Sequence, residues 1–399
     1  MSTGQTVVSE QATTIPPHVR LASLDALRGL DMFWIIGGSI VAEALAKASA
    51  CPWLEWVPVQ MKHVPWDGFH FIDLIFPLFL FMIGVAIPYA LGKRLSLGDS
   101  HARIYRHVVV RVIVMIILGM MVNGNLLTLD PAKFTLNYSV LQMLALGYLV
   151  ATILFLNLGL RNQVIATVIM LVGYWVLLAF VPGPGHEIGK FREGCNCGDW
   201  VTEYLFGQWR GRHTGWFVGI LGHASTAMLG VFAGHLLRSD FDTTRKLRWL
   251  MGLGGSCLAA GFIWSGWITE WLPGISLFGY EWSQWPIWFP IIKVRWTSSY
   301  VLYAGGISYF LLALCYLIID VRGYRRWALP FMAIGSNSIF AYMAWQLCSS
   351  AFRRISEVFL GGLKLYVGPW HEAIIWTGAL AVLWLLLGYM YRKKTFIRI

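Results

Sequence analysis

The segment Lys62-His63-Val64-Pro65-Trp66-Asp67-Gly68-Phe69-His70-Phe71-Ile72-Asp73 gathers two histidines and two carboxylates at the start of a long apolar run. Histidine is the side chain best suited to move protons near neutral pH, and a nearby carboxylate orients its ring and stabilises the imidazolium. His63 then has two uses in acyl transfer: it deprotonates an attacking amine or hydroxyl, or it is itself acylated as a nucleophile. A helix starting near Asp67 puts His70 and Asp73 three apart on one face, with His63 held just above by a Pro-Trp-Asp-Gly turn. The same groups serve equally as wet interfacial caps, since Asp67 near a helix N-terminus is favoured by the dipole. A metal site built from His63, Asp67, His70 and Asp73 follows no fixed ligand motif, and no metal is expected.

Three other places carry polar groups. In Arg20-Leu21-Ala22-Ser23-Leu24-Asp25-Ala26-Leu27-Arg28-Gly29, Ser23 suits an N-cap, and Asp25 and Arg28 are spaced to pair. Lys293-Val294-Arg295-Trp296-Thr297-Ser298-Ser299 brings two cations to the start of an apolar run, where they would meet an anion. Asn337, in Gly335-Ser336-Asn337-Ser338, is an amide expected to bond to another helix. On physical grounds Asp25–Arg28 reads first as a structural ion pair, and the other two read equally as packing or site, since polar groups at membrane depth are costly and so are functional candidates by default.

The elements that must position these residues are membrane spans. A crossing helix needs roughly 20 apolar residues, and nine charge-free runs stand out: 74–92, 112–129, 134–160, 162–185, 214–237, 249–269, 296–319, 327–352 and 373–391. A tenth, about 29–47, holds Asp31, Glu43 and Lys47 and is expected to face the bundle interior. Barrels would show short alternating strands instead, so the expected fold is an all-α polytopic bundle of about ten transmembrane helices. With 57% hydrophobic and 13% charged residues, the chain is too apolar to be soluble at this length. Pro77 and Pro88 predict kinks and freed backbone groups in the second span.

The net charge of +11 does not call for nucleic acid. With both termini in the cytoplasm, Lys93/Arg94/Arg103/Arg106, Arg238/Arg245/Lys246/Arg248, Arg322/Arg325/Arg326 and Arg392/Lys393/Lys394/Arg398 crowd into short inner segments, as the positive-inside rule requires. Residues 1–19 are polar, without the basic and apolar regions of a signal peptide, and read as a disordered cytoplasmic tail before a single domain over 20–399. Cys195 and Cys197 fall on the outer side, where a disulfide is chemically allowed; their Cys-Asn-Cys spacing fits no standard zinc motif.

Taken together, the segments resemble the heparan-α-glucosaminide N-acetyltransferase family and its bacterial relatives. The specific piece is His63-x-x-Trp66-Asp67-Gly68-x-x-x-x-Asp73-Leu74-x-Phe76-Pro77-x-Phe79-x-Phe81-x-x-Gly84. Arg20-Leu-x-Ser-Leu-Asp25-x-x-Arg28-Gly29 precedes it, and Val140-Leu-Gln142-x-x-Ala145, Lys293-x-x-Trp296-x-x-Ser299-Tyr300 and Gly335-x-Asn337-Ser338-Ile339 follow in order. The resemblance implies that acetyl-CoA on the cytoplasmic side gives its acetyl group to a sugar or amino sugar on the other side. It makes His63 the active-site histidine, with Asp73 beside it in the catalytic pair. The co-substrate is expected at Asp25, Arg28, Lys293, Trp296, Ser299 and Asn337, and the acceptor at Trp66, Asp67 and Ser39. Ser39 stands where the lysosomal enzyme has an asparagine, so the acceptor contacts differ there. A bacterial inner-membrane location, contact with lipid and a homodimer are compatible with this reading. A sugar permease is the competing function, because ten spans suit it equally well.

Overall fold

The computed structural model describes residues 21–397 apart from 131–132, 135–139, 185–190, 192–196, 208–215, 269–275, 278–279 and 282–287. The tail 1–19, Arg20 and Cys195 lie outside the described residues. In chain order the helices are α1 (Ala22–Phe33), α2 (Ser39–Ser49), α3 (Trp56–Gln60), α4 (Phe71–Ser96), α5 (His101–Asn123), α6 (Val140–Asn157), α7 (Leu160–Phe180), α8 (Cys197–Phe206), α9 (Trp216–Arg238), α10 (Thr243–Trp264), α11 (Ser298–Cys315), α12 (Leu329–Ser336), α13 (Ser338–Leu360), α14 (Lys364–Val367) and α15 (His371–Arg392). Among the described residues, nine helical stretches are long and apolar enough to cross a membrane, and the last holds both α13 and α15. The protein is an all-α polytopic membrane protein.

Apolar side chains lie on the outside as well as in the core. Val109, Val110, Ile113 and Ile117 on α5, and Val164, Ile165, Val168, Ile169 and Val172 on α7, are exposed, the arrangement expected where lipid is the solvent. Inside, Phe81, Met82 and Val85 of α4, Met228 and Val231 of α9, and Tyr300 and Tyr309 of α11 are fully enclosed. Gly84 and Gly230 let α4 and α9 touch backbone to backbone. A Cβ on Gly84 would lie 2.0 Å from the Ala227 carbonyl oxygen, and one on Gly230 would lie 2.0 Å from that of Phe81.

Element boundaries depart from the charge-free runs in instructive ways. The span expected at 112–129 is α5, His101–Asn123: the helix carries Arg103, Arg106 and Arg111 within it and ends at Gly124. Charge limits insertion depth, whereas backbone hydrogen bonding limits the helix, so arginines near one end do not stop it. The run 327–352 is broken at Asn337 into α12 and α13. The first span is one stretch, Ala22–Ser49, with a π-helical turn at Trp34–Gly38 where Gly37 has φ of 118°. Ser23 is not the N-cap of α1. Leu21 holds that position, and the carboxylate of Asp320 accepts from the Ala22 and Ser23 amides, each at 3.2 Å.

Candidate active site

Helix α4 begins at Phe71, four residues later than expected, because the preceding residues are taken up in a loop pairing. Asp67 forms an antiparallel bridge with Ile292, and the Gly68 amide donates to the Ile291 carbonyl at 3.0 Å with Gly68 at φ 134°. Glycine is suited to that conformation, and a Cβ there would also meet Val64 at 2.9 Å. The bridge fastens the His63 loop to the segment that leads into α11. His70 becomes the N-cap residue; its ring Nδ1 pairs with the Lys62 carbonyl at 2.7 Å rather than with Asp73.

Asp73, in the first turn of α4, is the hub. Its side chain is 1% exposed. Oδ2 accepts from the His70 amide at 3.0 Å and the Val64 amide at 3.3 Å. Oδ1 lies 2.8 Å from His63 Nδ1 and 3.2 Å from Lys293 Nζ. A carboxylate only accepts, so the bond to Asp73 is made by a ring protonated at Nδ1, which leaves the lone pair of a neutral ring on Nε2. Pro77 has no amide to bond the Asp73 carbonyl in the helical pattern; the Tyr300 hydroxyl of α11 donates to it at 2.6 Å instead. The freed backbone group expected from that proline is therefore what locks α11 onto the site.

Lys293 arrives from across the chain. Its Nζ is 2.7 Å from His63 Nδ1 and 3.1 Å from Nε2, resting against the ring edge with 18% of its side chain exposed. Burial lowers its proton affinity below the usual lysine value, and the Asp73 carboxylate pulls in the opposite direction. His63 itself remains 60% exposed at the mouth.

The other expected residues divide. Trp66 lies over the Arg295 guanidinium at 5.3 Å, and Arg295 makes a two-pronged ion pair with Asp199 of α8, one arm at 2.8 Å. Trp296 is buried: its Nε1 donates to Thr226 at 2.9 Å, and its ring meets His223, Phe76 and Tyr300. Ser299 donates to the Pro290 carbonyl at 3.0 Å. These two residues shape the loop beneath Lys293. Ser39 donates from its hydroxyl to the Trp34 carbonyl at 3.1 Å, the same carbonyl that accepts the Ser39 amide at the end of the π-helical turn. Asn337 binds the C-terminal strand of chain, its amide donating to Thr395 at 3.1 Å and its oxygen accepting from Ile397 at 2.9 Å. Lys293 thus joins His63, whereas Asp25, Arg28 and Asn337 belong to the other end of the bundle.

At that other end a cavity of about 210 Å³ is lined by Arg28, Arg111, Tyr148, Ser338 and the face of α4 from Phe79 to Leu91. Arg28 lies 3.7 Å from Asp25. Arg111 sits over the Tyr148 ring at 4.7 Å, and its Nε is buried without a hydrogen-bond partner. At 1.5 Å per residue, the upper lining residue Phe79 is about 9 Å along α4 from Asp73. Sequence reasoning passed over Arg111 and Tyr148 as site residues; the signal was the arginine set farthest along α5, at the edge of its charge-free run.

The sequence profile of the heparan-alpha-glucosaminide N-acetyltransferase catalytic family matches residues 20–260, a stretch that holds His63, Asp73, Arg28 and Arg111. The chain belongs to this family. Heparan-alpha-glucosaminide N-acetyltransferase from human is 26% identical over 449 aligned positions, covering 97% of this chain and 61% of the human protein. The mouse protein of the same name is 26% identical over 440 positions, covering 96% of this chain and 62% of its own length. The chain thus spans less than two thirds of these family members.

Proposed function

We propose that the protein is a transmembrane acetyltransferase that takes an acetyl group from acetyl-CoA at the Arg28–Arg111 cavity and gives it to an amino sugar at His63. The carrying observation is the single helix α4, with the His63–Asp73 pair at its first turn and the two-arginine cavity along its lower face. The family's name supplies the reaction class. The basic short segments support, through the positive-inside rule, a reading in which the donor cavity faces the cytoplasm of a bacterial inner membrane, where acetyl-CoA is made, and His63 faces the outer side.

In this reading Arg28 and Arg111 hold donor phosphate oxygens. Arg111 suits the role because one of its donors has no protein acceptor. Nε2 of His63 takes the proton from the acceptor amine as its nitrogen bonds to the thioester carbonyl carbon. The carbon–sulfur bond then breaks, and the imidazolium returns the proton to the leaving thiolate. Asp73 keeps Nδ1 protonated, which leaves the lone pair of the neutral ring on Nε2 for proton transfer. Direct transfer is the simpler route for an exposed ring; an acyl-His63 intermediate would appear as label retained on protein given labelled acetyl-CoA alone.

The test is transfer from radiolabelled acetyl-CoA to glucosamine by purified protein. Labelled N-acetylglucosamine is expected with wild type and not with His63→Ala. Absence of both transfer and thermal stabilisation by millimolar acetyl-CoA would overturn the reading and leave a permease.

A further inference from the structure

Lys293 was expected among co-substrate contacts, yet it lies against the catalytic ring, and the acetyl-transfer step described above gives it no part. We infer that Lys293 is a positioning residue that keeps the His63 ring uncharged between turnovers by setting a fixed cation beside Asp73. The inference rests on the reading of His63 as the base.

The argument is electrostatic. A carboxylate attracts any positive charge on a neighbouring imidazole and an ammonium repels it, and at His63 the Asp73 carboxylate lies 2.8 Å from Nδ1. An imidazolium has no lone pair at Nε2, so it neither deprotonates an amine nor takes an acyl group. In this proposal a carboxylate without a second partner would serve the orientation of the base and oppose its use. The Lys293 ammonium, 3.2 Å from the same oxygen and 2.7 Å from Nδ1, supplies the positive charge that Asp73 calls for. A second cation on the ring is then opposed by the first. After the amine proton is taken, the same repulsion drives it from the imidazolium to the thiolate.

The position is built. The Trp296 amide donates to the Lys293 carbonyl at 3.0 Å, Asp67 bridges Ile292 next to it, and the Arg295–Asp199 pair anchors the loop two residues on. The other charged and titratable groups nearby are committed elsewhere. His70 pairs with the Lys62 carbonyl, Lys62 lies 3.8 Å from Glu43, Arg295 is held by Asp199, and the Tyr300 hydroxyl bonds the Asp73 backbone. Among the described residues, His63 and Lys293 are the two side chains within hydrogen-bond reach of Oδ1.

The experiment compares Lys293→Met, Lys293→Gln and Lys293→Arg with wild type in purified full-length protein, using acetyl-CoA and glucosamine. The acid limb of kcat/KM should move to higher pH by about one to three units in the Met and Gln variants. Activity should return at alkaline pH with KM for acetyl-CoA unchanged, and Arg should restore the wild-type limb. Diethyl pyrocarbonate modification of His63, which needs an uncharged ring, should shift the same way when its peptide is followed by mass spectrometry. An unmoved limb and unmoved modification profile would overturn the assignment, as would a raised KM for acetyl-CoA with an unchanged pH profile. Wild type without acetyl transfer would strike the acetyl-transfer reading instead, and the modification profile would still judge Lys293.

Discussion

The two ends of α4 are furnished in opposite ways. At the first turn every strong group is answered: Asp73 receives two amides, an imidazole and an ammonium, and even the carbonyl freed by Pro77 is taken by Tyr300. Along the lower half a cavity remains, and Arg111 sits over an aromatic face at 4.7 Å, with its Nε without a hydrogen-bond partner among the described residues. A catalytic group gains from preorganisation, because reorienting it during reaction raises the barrier. A binding group for a phosphorylated donor gains from an incomplete shell that the ligand completes. The contrast supports the proposal of chemistry at one end and donor binding at the other.

The largest effect that would break or support this division is at His63. His63→Ala should lower transfer by about 10²–10⁴-fold, the worth of a general base. The fold should remain intact, since the side chain is 60% exposed; circular dichroism and detergent-extracted yield should match wild type. Asp73→Asn comes next, with kcat falling by about 10²-fold or more as Nδ1 loses its charged acceptor. Because Lys293 is left partly buried without its counter-charge, thermal or denaturant unfolding should also register a loss of up to about 3 kcal/mol. If Asp73→Asn instead raised only KM for acetyl-CoA, the two ends would not be functionally distinct.

Arg111→Met sharpens the comparison from the other side. Losing one charge-assisted contact of about 1.5–3 kcal/mol should raise KM for acetyl-CoA roughly tenfold to a hundredfold, with kcat nearly unchanged. Acetyl-CoA should correspondingly stabilise this variant less in a thermal shift series. The smallest effect is on stability. Burial lowers the proton affinity of Lys293 in the folded chain, so the unfolded chain binds more protons just below the usual lysine value. Stability should therefore rise with pH through that alkaline window, and Lys293→Met should flatten the rise in melting temperature.

How much of this was legible in the sequence follows from what local patterns report. The spans, their order and the His63–Asp73 neighbourhood were readable, because long apolar runs and a ten-residue spacing are local properties. Lys293 reaches His63 across 230 positions, and no periodicity encodes that contact. The place of Arg111 in the cavity wall was hidden because a search for charge-free runs discards an arginine at the edge of such a run. Ser39 and Asn337 were expected as ligand contacts from the family resemblance; the structure shows their hydrogen bonds going to the Trp34 carbonyl and to the C-terminal chain, contacts that no local pattern reports. Asp320 was passed over as a cap because it precedes α1 only in space, 298 positions away from Ala22.

The account stands most directly on a sided transfer. Wild-type protein reconstituted in sealed vesicles, with radiolabelled acetyl-CoA trapped inside and glucosamine supplied outside, should place label on the external sugar, and His63→Ala vesicles should not. Label appearing only when donor and acceptor share one compartment would contradict the division of labour along α4.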